Sequence, residues 1–160
     1  EFSTIVRLTA DNPLIDPFII DSIVEKFLSL KCDYLSNTHP RTFPQGNDVE
    51  IFSFKTLKKT WQNATNFSEK EHVTPYVYNN SNLFKLENFS NAMDYSHLRY
   101  TIDHLNDFKL VQQIVNKIKL ENKKLRLIDG TQYNNYAIYY PRTNKYLNKK
   151  LSNEDKIYRI

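Results

Sequence analysis

Glycine is nearly missing from this sequence. Only Gly46 and Gly130 occur in 160 residues, so no glycine-rich loop can wrap backbone N–H groups around a phosphate. A single cysteine, Cys32, excludes an internal disulfide and suits a reducing compartment. With no activating partner beside it in the sequence, it reads as a spectator thiol. No apolar run approaches the length of a membrane span. No basic-then-apolar leader follows Glu1. A cytoplasmic protein without membrane contact is therefore expected.

What is present is the composition of one globular domain. Hydrophobic residues make up 40% and charged residues 25%, a balance that supports a solvated surface around a real core. The net charge of +4 is unevenly placed: −4 over residues 1–50, +3 over 51–120 and +5 over 121–160. An acidic front suits a metal ion and a basic tail an anion, although solvated surface accounts for most such charges.

Residues 4–9 are β-rich, and 10–13 form a loop by their turn chemistry. Asp16 as N-cap and Pro17 at the first helical position open a helix. Ile19, Ile20, Ile23, Val24, Phe27 and Leu28 continue it at helical spacing. Strands are predicted at 33–37 and 49–54, separated by a loop carrying Pro40, Pro44 and Gly46. A helix to about Ala64 should turn Leu57 and Trp61 inward, and 69–78 should be helical around Pro75. Further strands are predicted at 84–89 and 98–102, the second running into Asp103. Leu105, Phe108, Val111, Ile114, Val115 and Ile118 then mark an amphipathic helix. This alternation places the body, 1–120, in the α/β class.

The remainder, 121–160, is a basic extension rich in Tyr, Asn and Lys, with a predicted strand at 123–128 and a turn at Asp129-Gly130. Interleaved Tyr and Lys can bind single-stranded nucleic acid. No recognised motif accompanies them here, so nucleic acid is not an expected partner.

Two carboxylates stand out by position. Asp11 follows the first strand, and Asp103 follows the strand predicted at 98–102; each precedes a helix. In open α/β sheets ligands bind beyond the carboxyl ends of strands. Two carboxylates there can hold Mg²⁺, which takes oxygen ligands and completes its shell with water and substrate phosphates. In the alternative, Asp103 caps its helix and Asp11 braces the Asn12-Pro13 turn. A second cluster runs from His39 to Glu50 and contains Arg41, Asp48 and Glu50. Strand alternation puts Asp48 and Glu50 on one face, with Val49 and Ile51 on the other. A third, Glu69 to Tyr76, holds His72 among acids. An ordinary polar loop accounts equally well for the second cluster, and a lone His such as that of the third is more often a structural hydrogen-bonder than a base or sugar contact.

Four strings in order are similar to conserved blocks of the acylneuraminate cytidylyltransferase family, in its spore-coat polysaccharide branch. They are residues 5–17 (IVRLTADNPLIDP), 36–53 (SNT, RTFP, then G and DVEIFS), 69–76 (EKEHVTPY) and 96–108 (SHLRYTID, then DF). The resemblance implies a mixed-sheet, Rossmann-like nucleotide-diphospho-sugar transferase fold. It also implies CTP and a sugar, often acidic, giving a CMP-sugar and pyrophosphate. Asp11 and Asp103 match the family's Mg²⁺ aspartates, and Arg41, Asp48, Glu50, His72 and Arg99 its recurrent polar positions. Arg41 would pair an acidic group of the sugar or, alternatively, Asp48. The family's N-terminal loop, like Ala-Arg-Met-Gly-Ser-Thr-Arg, has no match, which implies an N-terminally truncated piece, inactive alone. His104-Leu105-Asn106-Asp107 also departs from the usual Thr-Pro-Glu-Asp. A homodimer, a non-catalytic interaction domain and a metal-dependent glycosyltransferase of related fold stay open as alternatives.

Overall fold

The computed structural model describes residues 3–121. The predicted strand, turn and aromatic-basic tail beyond residue 121 lie outside the described residues. The body is α/β, as expected. β1 (Thr4–Arg7) leads to α1 (Pro17–Ser29), β2 (Tyr34–Ser36), β3 (Glu50–Ser53) and α2 (Phe54–Asn63). Then come α3 (Phe67–His72), α4 (Pro75–Asn79), β4 (Leu86–Asn88) and α5 (Leu105–Glu121).

The sheet has four strands in the order β1-β3-β2-β4. β3 is antiparallel to β1 and β2, and β4 is parallel to β2. Register aligns Arg7 with Glu50, Glu50 with Ser36, and Ser36 with Asn88. One edge therefore gathers the carboxyl ends of β1, β2 and β4 and the start of β3.

Both faces of the central strands β2 and β3 are covered, while Val6 on the edge strand β1 is exposed. Leu35, Val49 and Ile51 pack against Ile19, Ile23 and Phe27 of α1, with Phe43 from the loop before β3. Tyr34 and Phe52 meet Val77 of α4 and Phe84 on the other face. α1 starts as its sequence dictates: the Asp16 side chain accepts from the Phe18 amide, and Pro17 occupies the first turn. α5 packs Val111, Ile114 and Ile118 on Leu14, Tyr100 and Ile102.

Three expectations need correction. Residues 98–102 are not a strand. The segment is extended and makes one bridge, Gln45 to Arg99, because its neighbour is a loop rather than a strand. The helix predicted over 69–78 is broken into α3 and α4 at Val73, whose φ of 68° lies outside helical space. On α2 the inward residues are Thr56 and Thr60, and Trp61 is 79% exposed rather than core. Leu57 is half-buried against the Tyr34–Phe52 cluster. The small threonines let α2 sit close to the sheet, where Thr56 donates its hydroxyl to the Asp33 carbonyl at 3.0 Å.

Candidate active site

A cleft of about 280 Å³ opens at the gathered edge of the sheet. Arg7 and Thr9 line it from β1 and the segment after it; Thr38, His39 and Arg41 come from the loop after β2. Asp48 and Glu50 flank the start of β3, and His72, Thr74 and Tyr78 come from α3, α4 and their junction. Most of these groups are hydroxyls, imidazoles or paired charges. Such a lining suits a polyhydroxy, partly charged ligand better than an apolar one.

Two arginine–carboxylate pairs brace the walls. Arg41 donates through both terminal nitrogens to Asp48, at 2.5 and 2.8 Å. That fork-to-carboxylate geometry fixes orientation as well as charge, and Asp48 raises the Arg41 pKa. The internal pairing considered from sequence is therefore the one formed. Arg7 donates to Glu50 Oε2, while Tyr34 Oη donates to Glu50 Oε1 at 2.5 Å. Glu50 and Tyr34 are both buried, so the carboxylate depends on these partners. Burial, with Glu50 adding to it, pushes the Tyr34 hydroxyl far above its usual range, so it stays a donor. Val49 and Ile51 are fully buried in the α1 core, as alternation requires when Asp48 and Glu50 share the cleft face.

His72 lies at the cleft margin, largely exposed and 3.8 Å from Glu71. His39 stacks on Tyr78 at 4.7 Å between centroids, and its Nδ1 lies 2.7 Å from Thr38 Oγ1. Buried asparagines hold the loop that carries these groups. Asn37 Nδ2 donates to the Asn47 carbonyl at 2.6 Å, and Asn37 Oδ1 accepts from the Val49 amide at 2.9 Å. Asn47 Oδ1 accepts from the Asp16 amide, tying the loop to the start of α1. Sequence reasoning missed these residues, and it missed Arg7, whose one available signal was its place at the end of the first strand.

Asp11, Asp103 and Arg99 do not line the cleft. They sit at an adjoining junction, where the Ile102 amide donates to the Asp11 carbonyl at 2.8 Å and Thr101 Oγ1 lies 3.2 Å from Asp11 Oδ2. The chain thus brings the two aspartate corners together without a strand at 98–102. Hydrogen bonding, led by the Thr9 hydroxyl, holds the exposed Asp11 carboxyl below its usual range. Arg99 pairs with Asp103 and with Asp107. Asp107, not Asp103, caps α5: its Oδ2 accepts from the amides of Asp103 and His104, each at 3.0 Å. Among the described residues no three His, Cys, Asp or Glu side chains converge as a ready metal centre. Likewise no helix there is long and apolar enough to cross a membrane.

The mixed sheet with a polar cleft at its carboxyl edge is an α/β architecture that a solved cytidylyltransferase shares, which places the fold in the nucleotide-sugar transferase class. The chain belongs to the cytidylyltransferase family, whose profile matches residues 1–151. It is 38% identical to a cytidylyltransferase structure from Leptospira borgpetersenii, with a TM-score of 0.69 over 72% of this chain and 49% of that one. An uncharacterized protein of Methanocaldococcus jannaschii is 39% identical over 78% of this chain and 51% of its own length. The spore coat polysaccharide biosynthesis protein SpsF of Bacillus subtilis is 29% identical over 72% of this chain and 48% of its own. The chain spans about half the length of the curated relatives it matches.

Proposed function

We propose that the protein containing this chain transfers CMP from CTP to a hydroxyl of an acidic sugar, for a cell-surface polysaccharide or glycan. The hydroxyl oxygen attacks the α-phosphorus, the bond from that phosphorus to the oxygen bridging to the β-phosphate breaks, pyrophosphate leaves with that oxygen, and the hydroxyl proton passes to water. The observation that carries this reading is the hydroxyl-rich, charge-paired cleft at the carboxyl edge of the sheet, in a chain of this family. In it Thr38, His72 and Thr74 hydrogen-bond the sugar, while the Arg41–Asp48 bracket and Glu50 fix the wall around it.

Asp11 and Asp103 are the residues proposed to hold Mg²⁺. Asp11 fits: it is exposed, ionised and an oxygen donor, and Mg²⁺ needs only one or two carboxylates beside substrate phosphates and water. Asp103 is held in an ion pair by Arg99, which makes Arg99 its positioning partner. When bound, the ion offsets charge on the transferring phosphoryl group.

Pyrophosphate release by the full-length protein, with CTP, Mg²⁺ and a panel of acidic and neutral sugars, tests the reading. Release should require both CTP and one acidic sugar. Asp11→Asn should remove nearly all turnover and leave the unfolding midpoint unchanged. No CMP transfer with any sugar, or a preference for another nucleotide over CTP, overturns it.

A further inference from the structure

The cleft contains two guanidinium groups that are not equivalent. Arg41 has both terminal nitrogens committed to Asp48, and Nη1 also lies 3.5 Å from the Pro44 carbonyl. Its planar fork is filled. Arg7 touches Glu50 through Nη1 alone. A guanidinium carries five N–H donors, and among the described residues the Nε and Nη2 of Arg7 donate to nothing. Its side chain is 28% exposed, facing a cleft whose other cation is already matched.

Arg7 is also held in place. It stands opposite Glu50 in the β1–β3 register, so the pair lies on one face of the sheet. The Glu50 carboxylate is in turn fixed by the buried Tyr34 hydroxyl on β2. Three strands thus contribute to one chain of contacts, Tyr34 to Glu50 to Arg7, which ends in an unfilled fork at the cleft. A site that must bind a planar or tetrahedral anion needs such a preset fork, because ordering a long side chain on binding costs affinity.

We propose that Arg7 is the anion-recognising residue of the cleft, taking a carboxylate or phosphate group of the substrate, with Glu50 and Tyr34 as its positioning residues. This rests on the cytidylyltransferase reading. It moves acid recognition from Arg41, where the sequence placed it, to a residue of β1.

The test uses full-length protein and two probes, CTP and N-acetylneuraminate, in binding titrations and in steady-state turnover with Mg²⁺. Arg7→Gln should weaken one probe by about 10- to 100-fold, the range of a lost charge-assisted hydrogen bond, and leave the other within about 2-fold. Loss on the sugar acid identifies the anion as the sugar carboxylate; loss on CTP identifies it as a phosphate. Because Arg7→Gln leaves the buried Glu50 charge with the Tyr34 hydroxyl but without its cation, the double variant R7Q/E50Q is measured beside it. Removing both charges keeps the fold and should retain the binding defect. Tyr34→Phe should raise the same KM by a smaller factor with kcat nearly unchanged. Unaltered binding of both probes in the double variant, or equal losses for both, overturns the assignment. A wild-type protein that binds neither probe refutes the cytidylyltransferase reading itself.

Discussion

At the scale of single residues, the loop that feeds β3 is held by side chains whose partners are remote in sequence. Gly46 is the clearest case. Its φ is +102°, and a Cβ there would lie 2.6 Å from the Thr101 amide nitrogen and 2.7 Å from the Tyr100 carbonyl carbon. Neither atom can swing away, since both are backbone. Gly46→Ala therefore combines a strained φ with a displaced segment, and should lower stability in urea by at least about 1–3 kcal/mol. A midpoint equal to wild type would contradict the packing. Arg41 and Asp48 brace the same loop. With both side chains more than a quarter exposed, screening limits their coupling, which a double-mutant cycle should place near 1 kcal/mol. No coupling would mean that the bracket does not form. Asn37 and Asn47 could not be read from the sequence for the same reason. Asparagine is ordinary in any polar loop, and each has its partner 10 or 31 positions away.

Elements whose signals are local were legible. Asp16-Pro17 and the 3.6-residue spacing after it define α1 before any tertiary contact is considered, and α1 begins at Pro17. Elements whose state depends on a neighbour were not. Residues 98–102 carry β-forming side chains but meet the Gln45 loop instead of a strand. α2 misled because its inward positions are threonines while its large aromatic faces water. The start of α5 was legible as a corner, but its cap falls on Asp107 rather than Asp103. Arg99, followed by the amides of Asp103 and His104, holds the Asp107 carboxyl down at about 2, against an ordinary 3.8. A depressed folded-state value means that the contribution is complete above the ordinary value and is lost as pH falls toward 2. Carboxyl titration by NMR should show this midpoint, and Arg99→Gln should move it upward. A midpoint near 4 in the wild type would refute the capping geometry.

For the molecule as a whole, the large exposed apolar groups of the described residues include Val6 on β1 and Leu8 just after it, at 38% and 44%, but the most exposed lie off the sheet. Trp61 and Phe67, on α2 and α3, are each 79% exposed. Scattered apolar side chains at a surface are ordinary, so exposure alone names no partner. It does fix an optical property, because Trp61 is the chain's one tryptophan. Native fluorescence of this chain should be that of a hydrated indole and should be quenched readily by iodide. A blue-shifted, protected emission would place Trp61 under cover in solution. The site was legible by composition more than by geometry. Arg41, Asp48, Glu50 and His72 do meet in one cleft. Asp11, Asp103 and Arg99 stand beside it, and Arg7 emerges once strand register is known.

The junction at Gln45 has a dynamic consequence. Leu98 and Tyr100 exchange backbone hydrogen bonds with Gln45, at 2.9 and 2.7 Å, and Tyr95 donates to Thr42 at 2.8 Å. Two segments some fifty positions apart therefore share one set of amide bonds, and neither can open without releasing the other. In native-state hydrogen exchange their amides should form a single cooperative unit, with matched protection across 42–47 and 95–102. The loop that shapes the cleft and the segment that carries Arg99 toward Asp103 would then breathe together. Any motion that admits substrate on one side would be felt at the aspartate corner on the other.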